Sequence, residues 1–195
     1  MSRIYITLLF ALAAVQAHAQ SLPNPGGMAP DTPRMETGSP PKDHANTQDK
    51  LFVRQAAIGN RAEVELGKAA QQKGGSEAVR EFGKRMQADH GKAGSQLLRV
   101  GGKAEPSIPK ELDPEHVRVR DELGKGSGKD FDIAYLTSQV RDHQKTANLL
   151  LWEISFGQNA DLTKYAAETL PTVMEHLEVA KEQLAALSSA PMPER

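Results

Sequence analysis

The sequence predicts an all-α protein built as an antiparallel four-helix bundle, on three observations. Between about Asn46 and Leu187, apolar residues recur at spacings of three and four in four long stretches, the periodicity of a helix with one buried face. Breaks at Gly74-Gly75, at Gly101-Gly102 with the segment up to Gly128, and at Gly157 separate those stretches. No series of alternating strands occurs, and the chain has no cysteine, so packing alone must stabilise the fold.

Length and charge narrow the classes. The 195 residues suffice for one domain with a sizeable core. Lys and Arg number 24 against 25 Asp and Glu, which is neither the basic footprint of a nucleic-acid binder nor an acidic tail. Residues 1–19 read as a signal peptide: Arg3, an apolar run from Ile4 to Val15, then the small-x-small pattern Ala17-His18-Ala19. That run is too short to span a bilayer, and no later stretch is apolar for long enough. Residues 20–45 hold six prolines and three glycines with almost no large apolar side chain, so they read as a disordered tether. The expectation is an exported, periplasmic protein with no transmembrane segment, whose association with the outer membrane or envelope stays open. The domain spans 46–188, and 189–195 form a tail.

The first long helix starts at Asn46, an N-cap with Asp49 in the first turn. Phe52, Ala56, Gly59, Glu63, Leu66 and Ala70 then form one face, and Gly74-Gly75 end the helix in a left-handed conformation. Ser76 caps a second helix with the stripe Val79, Phe82, Met86, His90, Leu97 and Val100. Asp113-Pro114 opens a short helix to about Leu123 inside the long connection, after Pro106 and Pro109. A third long helix runs from about Lys129 to Phe156, with Tyr135, Gln139, His143, Ala147 and Leu150 facing inward. The fourth begins near Asn159 or Asp161 and places Tyr165, Val173, His176 and Leu184 inward, with Pro171 expected to kink it before His176.

Glu63, His90, His143 and His176 fall on inward faces at similar distances from the turns, within about 9 Å along the bundle axis at 1.5 Å per residue. Buried imidazoles and carboxylates need partners, which leaves two readings. In one, Glu63 accepts a hydrogen bond from an imidazole while Tyr135 or Gln139 satisfies the others, with no metal. In the other, the four residues bind one transition metal ion, zinc, manganese, iron or copper. Asp89, Asp142 and Glu175 each precede a histidine and are turned about 100° away from it. They are solvated charges, or they orient imidazoles of adjacent helices as carboxylates do around metal sites.

Phe52 with Ala56-Ala57, the run Ala62 to Gly67, then Phe82, Met86, Asp89-His90, Phe131-Asp132, Tyr135, Asp142-His143, Leu170-Pro171 and His176-Leu177 form a recognisable pattern. It resembles the exported bacterial family called domain of unknown function 4142, often labelled putative outer-membrane or periplasmic protein. The resemblance covers about Leu51 to Leu187. It implies a ferritin-like four-helix bundle and a stress-related role, with no settled activity. Di-iron proteins of that fold carry Glu-x-x-His motifs, whereas Gln87, Val140 and Val173 stand three residues before the histidines here. A mononuclear site or none fits better than a di-iron one. No thiol nucleophile, nucleophile elbow or phosphate-binding motif occurs. Three functional expectations follow: a non-enzymatic bundle with a metal centre, a metal-dependent oxidoreductase, or a metal-free envelope interaction module.

Overall fold

The computed structural model describes residues 44–189; the signal peptide, nearly all of the tether and all but the first residue of the tail lie outside them. Five helices make up the described chain: α1 (Thr47–Lys73), α2 (Glu77–Gly101), α3 (Pro114–Leu123), α4 (Gly128–Phe156) and α5 (Ala160–Ser189). Local chemistry sets their starts. Asn46 forms a reciprocal capping box with Asp49, Ser76 Oγ accepts from Val79 N, and Asp113 caps α3 ahead of a proline in the first turn. Asn159 Oδ1 accepts from the backbone N–H groups of Asp161 and Leu162. Each cap satisfies donors that a helix start would otherwise leave unpaired.

The expected left-handed residue at Gly74 is not there: its φ is −58° and ψ 130°. Space is the reason for glycine at this turn. A Cβ on Gly75 would lie 2.6 Å from the Gly128 carbonyl carbon, because the two segments pair edge to edge. The positive φ, 63°, belongs to Gly128 at the start of α4.

Long-range hydrogen bonds define the topology. Asn46 Nδ2 donates to Phe156 O, joining the start of α1 to the end of α4, while Gly74 meets Gly128 at the other end. Asp89 meets His176 and Gln96 meets Glu168, so α5 runs antiparallel to α2. Hence α1 and α5 point one way, α2 and α4 the other, and every neighbouring pair is antiparallel. The connection from α2 to α4 must therefore traverse the bundle's length, and α3 rides along it, tucking Val119 and Leu123 into the core. This is the one-crossover, ferritin-like arrangement. Pro171 lies inside α5, which is helical on both sides of it.

The core has two apolar clusters. One contains Phe52, Leu97, Leu150, Leu162 and Tyr165; the other contains Leu66, Val79, Phe82, Met86, Phe131 and Tyr135. On every long helix a polar segment separates them, and Asn60, Glu63, His90, Gln139, His143 and His176 are all buried there. At one end, Asp49 accepts from the N–H groups of Asn46, Gln158 and Asn159 and so ties α1 to the α4–α5 turn. Glu153 is fully buried beside it; burial, with Asp49 adding to the effect, pushes its carboxyl up to about 9. Among the described residues no helix is long and apolar enough to cross a membrane.

Candidate metal centre

His90 on α2, His143 on α4 and His176 on α5 meet in the polar layer, with ring centroids 5.4, 5.5 and 5.5 Å apart. The outward-facing nitrogen of each ring has an oxygen partner, and these partners set the tautomers. His143 Nδ1 is 2.9 Å from Gln139 O, a carbonyl that only accepts, so Nδ1 carries the proton. Asn60 Nδ2 donates to Tyr165 Oη, which turns Asn60 Oδ1 toward His90 Nδ1 at 3.0 Å. His176 Nε2 donates to Asp89 Oδ2 at 2.9 Å.

The remaining nitrogens are then lone pairs. His90 Nε2 and His143 Nε2 face each other at 3.4 Å, and His176 Nδ1 is buried with no hydrogen-bond partner. One ring nitrogen from each histidine lies within 4.8 Å of the others. Nitrogens bound tetrahedrally at about 2.0–2.1 Å sit about 3.4 Å apart, the spacing already present between His90 and His143.

Electrostatics favour the neutral, metal-ready imidazole. Burial, then the neighbouring imidazoles, hold His90 well below the usual range. Burial likewise drops His143 to about 3. For His176 burial also lowers the value, opposed by Asp89. Desolvation disfavours an imidazolium in such a layer.

The structure brings together the three histidines and not Glu63, which is outside the group of converging ligand atoms. Glu63 Oε2 accepts from Gln139 Nε2 at 2.8 Å, so its partner is an amide of α4 and not an imidazole. Burial, then Asp142, pushes its carboxyl up to about 8. Gln139 thus serves Glu63 with its side chain and His143 with its carbonyl. Tyr135 Oη is buried without a partner and satisfies no histidine.

The three acids separate into different roles. Asp89 is the carboxylate that orients an imidazole across a helix boundary. Glu175 is an exposed partner of Arg85 at 2.8 Å, and Arg85 also contacts Asp89 at 3.4 Å. Asp142 corrects the expectation of a surface charge, since only 6% of it is exposed; it is turned into the bundle near Glu63 with only its Oδ1 paired, to Arg141. Asn60 was not anticipated, although it stands one turn before Glu63 and beside Gly59 on the inward stripe of α1. It also lines, with His90, Thr146, Tyr165 and Thr169, a cavity of about 20 Å³, room for about one water molecule.

Comparison with known proteins adds the following. The model of a family described as "Domain of unknown function (DUF4142)" matches residues 34–183. Among solved structures, the chain is similar to the "Crystal structure of DUF305 fragment from Deinococcus radiodurans", at 16% identity and a TM-score of 0.64, over 73% of this chain and 98% of that one. That likeness supports the helical fold alone. Nothing among curated proteins matches the chain.

Proposed function

From a chain that belongs to the DUF4142 family, a domain of unknown function, we propose an exported, periplasmic bundle that binds one transition metal ion through His90, His143 and His176. The observation that carries this reading is the direction of the protons. Each imidazole donates outward, to Gln139 O, Asn60 Oδ1 or Asp89 Oδ2, leaving three lone pairs converging in the buried layer. A buried acceptor left unpaired costs about 1–3 kcal/mol, and one ion would satisfy all three, including His176 Nδ1, which has no protein partner. The outer oxygens match the arrangement that fixes ring orientation around metals. Zinc, manganese, iron and copper all suit imidazole ligands to different degrees. The role is non-enzymatic metal holding, and the family resemblance supports its use under stress.

Metal analysis tests the centre. Mature chain purified without tag or chelator is expected to carry, or take up, one equivalent of metal. His90→Ala and His143→Ala should each abolish it, and Asp89→Asn should weaken it about 10–100-fold. A parent chain that cannot be loaded, or a His143→Ala variant that binds as well as the parent, would overturn the reading. Export has its own check: a mass corresponding to a start at Gln20 is expected for protein isolated from the periplasm, and a chain retaining Met1–Ala19 in the cytoplasm would contradict it.

A further inference from the structure

The three imidazoles are neutral donors, and a tetrahedral ion needs a fourth ligand. On α2, Phe82, Met86 and His90 follow one another at steps of one turn on the inward face. The His176 ring lies 6.2 Å from the Phe82 ring and 5.5 Å from the His90 ring. Both residues that flank Met86 on that face therefore sit against the same imidazole. Met86, itself 0% exposed, is the residue between those two on the same face, and the His176 ring that both flank is the one whose Nδ1 lacks a partner. Met174, by contrast, is exposed.

We propose, building on the metal-centre reading above, that Met86 Sδ is the fourth ligand and that the ion is Cu(I). A thioether is a soft donor that selects Cu(I) and adds little to the binding of harder divalent ions. Charge points the same way. No carboxylate is among the converging ligand atoms, and burying one positive charge among neutral donors is less costly than burying two. Asp89, hydrogen-bonded to His176, supplies one negative charge just outside the ligands. With four protein ligands the centre is closed, which suits holding an ion and not turning over a substrate.

The experiment is an anaerobic titration of the full mature chain with Cu(I) against a chromophoric Cu(I) chelator, with Zn²⁺ in parallel. X-ray absorption of the Cu(I)-loaded parent accompanies it. One Cu(I) per chain is expected, bound at least about tenfold more tightly than Zn²⁺, with one sulfur in the coordination sphere. Met86→Leu, which conserves volume in the apolar cluster, should lose that sulfur and about tenfold or more in Cu(I) affinity, with Zn²⁺ affinity nearly unchanged. If the parent binds neither ion, the metal centre fails and this inference with it. If the parent binds Cu(I) but shows only nitrogen scatterers, the Met86 assignment fails while the centre stands. A preference for Zn²⁺ over Cu(I) would overturn the choice of ion. The parent's absorption spectrum decides the ligand even if Met86→Leu does not fold.

Discussion

The unfolding free energy of the metal-free chain is expected to peak near pH 6.5 and to fall on both sides. The acid limb comes from His90, His143 and His176, whose folded values lie below 6.5. Below pH 6.5 the unfolded chain binds protons that the native layer refuses, so their stabilisation is present above that pH and lost as pH falls toward the folded values. The alkaline limb comes from Glu63 and Glu153, raised from 4.5 to about 8 and about 9. Their contribution is full below the unfolded value and is lost as pH rises through the folded ones.

Each group tilts the curve by about 1.4 kcal/mol per pH unit. Between pH 4.5 and 6.5 His90 and His143 oppose the two acids, and His176, also lowered by burial, tips the balance so that stability is lost on acidification. Between pH 6.5 and 8 only the acids act, and stability is lost on raising the pH, most steeply below the Glu63 value of about 8. Urea melts at pH 5, 6.5 and 8 on chelator-treated protein measure this directly. The double variant Glu63→Gln with Glu153→Gln should lose the alkaline limb and steepen the acid one. A curve that is flat over this range would mean that these side chains are solvated in solution.

Gly67→Ala is expected to lower the melting temperature by about 5 °C or more. A Cβ at Gly67 would stand 2.5 Å from Gly83 O and 3.0 Å from Gln87 N. Both neighbours are backbone atoms, which cannot rotate aside as a flexible side chain does, so α1 and α2 must separate. Overpacking of this kind costs about 1–3 kcal/mol, at the upper end where backbone must move. The gain of about 1 kcal/mol from replacing a helical glycine offsets only part of it, and the balance corresponds to several degrees for a domain of this size. Gly59→Ala is the matched control in the same helix. Its Cβ meets nothing within 4 Å, so it should be stabilising by about 0.5–1 kcal/mol. Equal effects at the two glycines would refute the close α1–α2 contact.

Local chemistry made much of the fold readable. Asn46, Ser76, Asp113 and Asn159 each lie at a helix start where the chain offers a side-chain acceptor, and the inward stripes named His90, His143 and His176 without any knowledge of their neighbours. Asp142 and Gly74 were misread for a shared reason. A helical stripe about 100° wide records which side of a helix is apolar, but Asp142 lies at its margin, where α1 covers it or water does according to how far α4 is rotated. Gly74 needed room beside Ala70 and the adjoining turn, and no unusual backbone angle; only the approach of two segments reveals that.

The residue order by itself determined a four-helix bundle with a buried histidine on each of three helices. Tertiary structure alone decided what those histidines face. Asn60 and not Glu63 reaches His90, Glu63 meets the Gln139 amide of α4 and not an imidazole, and Asp89 crosses to α5 for His176. A hydrogen bond tolerates only a few tenths of an ångström. The stagger and rotation between helices that set such distances come from packing at contacts such as Gly67 on Gly83, which the periodicity of a single helix does not encode.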